Sequence, residues 1–574
     1  MPAVRRTWSI PFLATVVLAA VPAEARADNP ADEPPFGGEM PPPLVRPPSE
    51  AKPPPGFRLS AARAARIARG TSAAREERAA EGPLRARVFE RGRREWQVEL
   101  FDRGGTQVAQ VVIADRSGRA LEAWRGTQVT VKLARGYSGA VAQHVNAPYV
   151  WLPLCLLFAL PFLDPRRPFR LLHLDLAVLL GLGASLYFFN RANINASVAL
   201  TYPVLGYVFL RGLTLGFRPR ERSGPLVPLV PIRWLAIAAV ALAAGRIALN
   251  IVDSHVIDIG VAGVVGADRI EHGQPLYEGG FAEGIPIRGD VYGPFNYLAY
   301  VPFEAAFPFR GEWDSLPAAH AAAIVFDLLT ALGLLALGRR LRAGPQGRAL
   351  GVALAFAWLA YPFTLYTMNA NANDSLVAAS VVWALVALAS PVRRGILVAL
   401  GAAAKFGTAA LAPLFATASG ERRWRSAILF ALAFCAVIAA VFGPFIPTGG
   451  IHALYDRTLG YQASRSSPFS VWGLAPSLDF LRSWVRAAAI GFALVVGVWP
   501  RTKSPAQVAA LAAAVIVAIQ VGATHWFYFY AVWFVPPLLA AAFAGQPAVA
   551  PARELRRAPA ITPAASEAAR AAAS

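Results

Sequence analysis

The stretch WLAIAAVALAAGRIALNIVDSHVID (Trp234–Asp258) decides the fold, because an apolar run long enough to cross a bilayer leads directly into two acids. Arg246, Asn250 and Asp253 are spaced by four and three residues and therefore share one helical face. Asp258 follows within two turns of the same end. The stretch predicts a membrane span that delivers carboxylates to one membrane surface, where a lipid-borne substrate could meet them.

The composition of the whole chain supports this interpretation. Of its 574 residues, 56% are hydrophobic and the mean hydropathy is +0.43, which predicts a polytopic membrane protein and excludes a soluble fold. The net charge of +20 comes mostly from arginines in short loops between apolar runs, as the positive-inside rule requires, so no nucleic acid partner is expected. Cys155 and Cys435 lie inside apolar runs and the histidines are scattered, so neither a disulfide, a metal site nor a cofactor is indicated.

The first 56 residues have the pattern of an export segment. Residues 1–27 resemble a signal peptide, with Arg5 and Arg6 before an apolar stretch and Ala25-Arg26-Ala27 as a cleavage site. An uncleaved anchor is the alternative, and either would place the following chain outside the cytoplasm. The Pro-rich residues 28–56 are predicted to be an extended linker.

Residues 57–140 are predicted to form a small extracytoplasmic α+β module. Phe57–Arg69 has helical spacing, whereas Glu95–Phe101 and Gln128–Leu133 alternate like half-buried strands. The helix followed by WQVELFDRGGTQVAQVVIADRSGRALEAW is similar to the PepSY domain, and this resemblance implies a binding or inhibitory role.

The apolar runs predict eleven membrane spans, of which three extra ones (residues 148–215) precede a core at 231–545 and a cytoplasmic Ala/Arg-rich tail at 546–574. The spans are Tyr149–Leu163, Leu171–Phe189, Ile194–Leu210, Trp234–Val252, Leu316–Leu337, Leu350–Tyr366, Asp374–Leu388, Ile428–Phe445, Ala488–Trp499 with preceding residues, Ala506–Val521 and Trp526–Phe543.

Two further apolar stretches are not predicted to cross. A crossing by Tyr292–Phe309 would force the arginines that follow residue 338 outside, so this stretch is expected on the surface or as a re-entrant element. Ile396–Ala416 is expected to be a re-entrant pair of half-helices broken near Lys405, since a full crossing would invert every later loop. The polar loops 253–315, 367–373 and 447–476 then share the outer face.

The core also carries a family resemblance. DIGVAGVVGADRIEHGQPLY, DVYGPFNYLAYVP, NANANDSLVAA, AAAKFGTAALAPL and HWFYFYAVWFVPPLL resemble, in this order, glycosyltransferase family 87 of the GT-C superfamily. The resemblance implies an all-α GT-C-like bundle in the cell (inner or plasma) membrane. It would pass a hexose or pentose from a polyprenyl-phosphate sugar to an extracytoplasmic envelope glycan or glycolipid. An outer-loop acid acts as general base in such enzymes, and the matching position is Asp258, with Asp253 second.

The chemistry of this transfer suggests the other site residues. A phosphate leaving group needs cations, and five outer-side or membrane-embedded side chains qualify: Lys405, Arg246, Arg465, Arg457 and His525. The substrate pocket is predicted to contain Tyr292, Asn371, Asp374 and Tyr528.

Most of these residues also have a purely structural explanation. Asp258 could cap its helix, Asp253 could pair with Arg246, and Asp327 could be the counter-ion of Lys405. Asn371 and Asp374 could cap a span, and His525 could belong to an interfacial aromatic belt.

Two other functions remain open from the sequence. A secondary transporter or lipid-linked sugar flippase would also contain broken helices with an embedded cation. A membrane sensor or scaffold led by the PepSY-like module would leave the large outer loops unexplained. The residues point to membrane lipids as surroundings but carry no signal for a particular sugar, acceptor or protein partner.

Overall fold

The computed structural model describes residues 44–549 except for 92–93, 104–106, 126–144, 191–192, 220–223, 255, 279–288, 311–315, 419–422 and 465–466. The signal region 1–27, the predicted strand at 128–133, Arg465 and the tail from residue 550 lie outside the described residues.

The N-terminal part is a five-stranded antiparallel sheet in sequential order with two helices. Its elements are β1 (Leu44–Val45), α1 (Ala61–Arg69), α2 (Ser72–Glu81), β2 (Arg85–Arg91), β3 (Glu95–Phe101), β4 (Gln107–Ala114) and β5 (Ala120–Arg125).

The core of this part lies between α1 and the sheet. Trp96, Val98 and Leu100 alternate along β3 and pack against α1, as period-two strand geometry requires. The Asp115 carboxylate accepts hydrogen bonds from Trp96 Nε1 (3.0 Å) and from the backbone N–H of Leu59 (2.8 Å). The bounds of β3 are those predicted. The helix begins four residues later than predicted because Ser60, not Phe57, caps its first turn.

The remainder of the described chain is helical. Its helices are α3 (Pro148–Ala159), α4 (Leu171–Phe189), α5 (Ile194–Phe217), α6 (Ile232–Val252), α7 (Asp258–Glu271), α8 (Phe295–Leu298), α9 (Val301–Ala306), α10 (Pro317–Leu341), α11 (Gly344–Ala360), α12 (Pro362–Asn369), α13 (Asp374–Val386), α14 (Pro391–Ala404), α15 (Ala412–Ala416), α16 (Arg423–Phe442), α17 (Gly450–Tyr455), α18 (Tyr461–Ser464), α19 (Val471–Leu474), α20 (Asp479–Val498), α21 (Pro505–Val521) and α22 (Ala531–Ala544). A π-helical turn (Asp456–Gly460) joins α17 to α18, and 3₁₀ turns follow α3, α14 and α16 and precede α20 and α22.

Each of the eleven predicted spans coincides with an apolar helix. Among the described residues, six helices are long and apolar enough to cross a membrane, and the bent pair α11–α12 brings the total to seven. The other four predicted spans fall on shorter apolar helices at Pro148–Phe162, Asp374–Val386, Pro505–Val521 and Tyr528–Ala544. The polytopic, mostly helical class is confirmed, while the count of eleven stays a prediction.

The predicted span Leu350–Tyr366 is not one straight helix. α11 and α12 meet at an angle of 59°. Tyr361 between them has extended backbone (φ −70°, ψ 124°), because the residue before a proline is disfavoured in helical geometry and Pro362 follows.

The stretch from Pro391 to Ala416 turns back at Lys405, as predicted. α14 ends at Ala404, Lys405 is extended (φ −138°, ψ 115°), and a 3₁₀ turn (Phe406–Leu411) leads into α15. The carbonyl of Ala416 accepts a hydrogen bond from Arg394 Nη2 (3.2 Å), so the chain returns to the level where α14 began. Both arms therefore enter from the same end of the bundle.

Several helices begin or end beside Lys405, and we call this side of the bundle the Lys405 end. α6 and α14 end there, while α13 and α22 begin there. α13 and α14 have their other termini at Val386 and Pro391, close to Arg340 of α10, and we call this opposite side the Arg340 end.

Candidate functional site

The centre of the Lys405 end is a buried ion pair. Lys405 Nζ lies 2.7 Å from Oδ1 of Asp374, the first residue of α13, and the two side chains are 7% and 0% exposed. Trp533 Nε1 donates a second hydrogen bond to the same oxygen (2.8 Å). The alternative pairing of Lys405 with Asp327 is therefore wrong. The re-entrant pair is thus broken at Lys405, the residue whose charge Asp374 neutralises.

Aromatic rings surround the ammonium group of Lys405. Nζ lies 5.8 Å from the ring centroid of Tyr292, 5.6 Å from that of Tyr530 and 5.5 Å from that of Trp533. These distances lie within the range of cation–π attraction. Tyr292 was predicted from the sequence to line the site, whereas Tyr530 and Trp533 were not, because nothing in HWFYFYAVWF distinguishes site rings from an interfacial belt.

A tight turn holds Tyr292 against the end of α14. A Cβ at Gly293 would overlap the carbonyl oxygen of Ala403, so only glycine permits this approach. The hydroxyl of Tyr277 donates to the carbonyl of Tyr292 (2.7 Å). Burial, with a smaller contribution from Asp290, raises the pKa of Tyr277 well above its ordinary value, so the hydroxyl keeps the proton that it donates.

A second cation, Arg457, reaches the same turn from the π-helical turn before α18. Arg457 Nη1 lies 2.7 Å from Oδ2 of Asp290, two residues before Tyr292. The carboxylate of Glu278 accepts the backbone N–H of Thr448 (2.5 Å), a hydrogen bond that lowers the pKa of Glu278. The structure thus brings Arg457 and Lys405 to the same short turn, although Arg457 remains 41% exposed.

His525 lies at the edge of this group. Its ring is 6.2 Å from the ring of Tyr530, and Nδ1 is 2.8 Å from Ser467 Oγ. It also stacks with Phe527 at 6.5 Å. His525 and Lys405 therefore share Tyr530 as a neighbour. His525 also belongs to the aromatic cluster around Phe527.

Buried polar atoms without a protein partner gather beside the ion pair. Asn373 Nδ2 donates to Asn296 Oδ1. Among the described residues, no partner is found for Asn296 Nδ2, Asn373 Oδ1, Asp374 Oδ2 or the Tyr300 hydroxyl, all on side chains no more than 1% exposed. Tyr300 packs in one cluster with Leu376 and Ala404. An unpaired buried polar atom costs about 1–3 kcal/mol, so hydrogen bonds from water or a ligand are favourable here.

Arg246, predicted to bind phosphate, is buried in a separate ion pair. Its Nη2 is 2.6 Å from Asp327 Oδ1, which also accepts from Trp358 Nε1 (3.0 Å), and its Nη1 donates to the Leu359 carbonyl. The alternative of an Arg246–Asp253 pair is wrong, because the guanidinium of Arg246 pairs with Asp327. These contacts assign Arg246 a structural role in joining α6, α10 and α11.

Asp253 and Asp258 lie on either side of the α6–α7 turn. Asp253 ends α6, and its carbonyl accepts from Asn369 Nδ2 (2.7 Å). Asp258 is the exposed first residue of α7, and its Oδ1 accepts the backbone N–H of Ile259 (2.8 Å), so it contributes to the N-terminus of that helix. A Cβ at Gly260 would meet the Asn371 carbonyl at 2.7 Å, which places Asp258 near the 369–374 turn.

Asn371 and Tyr528 have mainly structural contacts. Asn371 adopts a left-handed conformation (φ 51°), accepts from Asn250 Nδ2 (3.0 Å) and donates to Ser254 (3.1 Å). Tyr528 is buried, with its hydroxyl 2.7 Å from Ser185 and from Ser197 on the extra helices α4 and α5. The structure therefore places Tyr528 at the junction with the extra helices, not at the Lys405 ion pair.

The arrangement at the Lys405 end combines a desolvated cation, aromatic faces and spare hydrogen-bonding atoms. Lysine carries three N–H donors, of which Asp374 occupies one. Among the described residues there is no group of three or more His, Cys, Asp or Glu side chains that could hold a metal ion. Such a site can bind a small polar ligand with an anionic group through the protein's own side chains.

Comparison with known proteins supports a membrane glycosyltransferase. Residues 291–524 match the model of Glycosyltransferase family 87, the family that the sequence resemblance predicted. The match contains Tyr292, Asp374, Lys405 and Arg457, whereas Asp253 and Asp258 precede it. No curated protein and no solved structure matches the chain.

Proposed function

We propose that the protein transfers a sugar from a polyprenyl-phosphate donor to an envelope glycan or glycolipid on the outer face of the cell membrane. The observation that carries the proposal is the Lys405–Asp374 pair with its aromatic surroundings, inside the stretch that matches family 87. The sugar would be a hexose or a pentose.

Lys405 binds the donor phosphate in this proposal. Its ammonium has N–H donors beyond the one that Asp374 accepts, and charge-assisted hydrogen bonds to phosphate are strong where water is excluded. The ion pair keeps the cation in place when the site is empty, because Asp374 offsets the cost of burying it. Arg457 and His525 reach the same region and would help to neutralise the leaving phosphate.

The sugar would occupy the space beside Tyr292 and the 373–374 turn. Aromatic faces suit the C–H side of a sugar ring, and Asn296, Tyr300, Asn373 and Asp374 each have a polar atom that a sugar hydroxyl could satisfy. Of these four residues, the sequence had indicated only Asp374.

The reaction needs a base for the acceptor hydroxyl. In the proposed step the acceptor oxygen forms a bond to the anomeric carbon while the bond from that carbon to the phosphate oxygen breaks. The electron pair of the broken bond leaves with polyprenyl phosphate, and the hydroxyl proton passes to the carboxylate of Asp258. Asp258 is exposed at the start of α7 and near the 369–374 turn, so an acceptor can approach it. Asp253 is the second candidate.

The orientation is part of the proposal. The export signal would direct the N-terminal sheet module out of the cytoplasm. The arginine-rich loops would lie in the cytoplasm, so the Lys405 end would lie outside as well. The module remains a PepSY-like domain by sequence resemblance, with a binding or inhibitory role.

Mass spectrometry of envelope glycans and glycolipids tests the proposal in cells. Deletion of the gene is expected to remove one sugar from an envelope product, and the wild-type gene should restore it. Lys405→Met should fail to restore it, whereas Lys503→Met, a matched change at the Arg340 end, should succeed. An envelope unchanged by deletion would refute the proposal.

A further inference from the structure

A groove at the Arg340 end has no role in the proposed reaction. It lies between the end of α10, the end of α13 and the start of α14, and its volume is about 370 Å³. Apolar side chains, including Trp383, Val386 and Leu397, form its walls, and Arg340 and Arg393 lie at its rim. α13 and α14 separate it from the Lys405 ion pair, because the pair lies at the other termini of these helices.

The charges of the groove are not balanced by any carboxylate among the described residues. Arg340 and Arg393 are both exposed, and neither forms an ion pair with any described residue. Between Asp327 and Glu421 the sequence contains one carboxylate, Asp374, which lies at the Lys405 end. Two guanidinium groups that share one groove repel each other unless an anion lies between them.

The walls of the groove continue onto an apolar surface. Val325, Leu329 and Leu332 are exposed, with Leu332 54% exposed. They follow each other at spacings of four and three along α10 and form a stripe that leads away from Arg340. Trp383 Nε1 donates to the carbonyl of Leu329 (3.0 Å), so the indole joins the groove to this stripe. Tryptophan prefers the boundary between headgroups and acyl chains.

We propose that the groove binds one anionic phospholipid of the surrounding leaflet. The phosphate lies between Arg340 and Arg393, and an acyl chain follows the apolar stripe of α10. The positive-inside rule accounts for arginines at this end of the bundle. It does not account for a groove in which two arginines lie in line with the apolar stripe of α10. A free phosphate would use only the rim, so the stripe favours a lipid.

Native mass spectrometry of the purified full-length protein can count the bound lipids. The protein is titrated with phosphatidylglycerol or with phosphatidylcholine of the same acyl chains. We expect one tightly held phosphatidylglycerol and a preference over phosphatidylcholine that falls about tenfold to thirtyfold in R340Q/R393Q, which lacks two membrane-surface charges. The matched control R348Q/R501Q removes two exposed arginines that do not line the groove and should keep the preference.

Three results would overturn the proposal. The first is an equal loss in R348Q/R501Q, since the preference would then depend on overall charge. The second is an unchanged preference in R340Q/R393Q, since the two groove arginines would then not hold the lipid. The third is release of phosphatidylglycerol by excess inorganic phosphate, which would show a simple anion site without a role for the acyl chain.

Discussion

Separate and combined removal of the two charges of the Lys405–Asp374 pair should have very different effects. Asp374→Asn leaves the ammonium of Lys405 buried without its anion, and Lys405→Met leaves the Asp374 carboxylate, 0% exposed, without its cation. Breaking a buried pair from one side costs about 3–5 kcal/mol, because the remaining charge is not compensated. The double variant D374N/K405M removes both charges and should lose less stability than either single variant.

Thermal unfolding of the purified protein in one detergent, followed by the fraction that stays monodisperse, measures this coupling. The control is Lys503→Met at the Arg340 end, whose Nζ donates to the Gly497 carbonyl (3.3 Å), and it should unfold close to the wild type. Losses in the double variant that equal the sum of the single losses would refute the coupling. Donor binding separates structure from function: D374N/K405M should be stable yet bind the lipid donor weakly.

Three further predictions concern other parts of the chain. Asp258→Asn keeps the size of the side chain but removes its basicity, so turnover should fall about a hundredfold or more while donor binding survives; near-normal transfer would turn attention to Asp253. Arg246→Met should lower stability by about 3–5 kcal/mol, and R246M/D327L should recover most of it in the same unfolding assay; a double variant no better than the single would contradict the pair. In a background without native cysteines, a cysteine at position 254 should react with an impermeant thiol reagent added to intact cells and one at 419 should not; the reverse would invert the topology.

Features with a local cause could be predicted from the sequence. The bounds of β3 follow from strict alternation between Glu95 and Phe101. The break at Lys405 follows from an ionisable residue inside an apolar run whose full crossing would misplace the next arginines. The positions of the apolar helices follow from composition alone.

Features that depend on packing could not be predicted in the same way. Arg246 and Asn250 were expected on one face and both are buried, but the partner of Arg246 is Asp327, 81 residues away on another helix. Helical spacing identifies which residues share a face and does not identify what that face meets. The same limit explains why the sequence offers Asp327 as an alternative counter-ion of Lys405, whereas the partner is Asp374.

A signal for Asp374 did exist. Asp374 begins a span on the side of the bundle where the re-entrant pair turns. This position favours a similar depth for the charges of Asp374 and Lys405. Depth alone does not exclude Asp327, because Thr330, one turn further along α10, donates to the Ser375 carbonyl (3.0 Å); Asp327 is instead occupied by Arg246. The residues around the unpaired polar atoms, such as Asn296 and Tyr300, had no comparable signal, because their burial becomes visible only when α8 packs against α7 and α14 and α9 packs against α7 and α10.

The rate of sugar transfer by the purified full-length protein tests the central claim most directly. Radiolabelled polyprenyl-phosphate hexoses and pentoses serve as donors, and membranes from cells that lack the gene provide the acceptor. We predict that one donor is consumed with equal amounts of labelled product and free polyprenyl phosphate, and that Lys405→Met abolishes the reaction while Lys503→Met does not. A wild-type protein that transfers from no polyprenyl-phosphate sugar, or a Lys405→Met variant with the wild-type rate and donor affinity, would contradict the account.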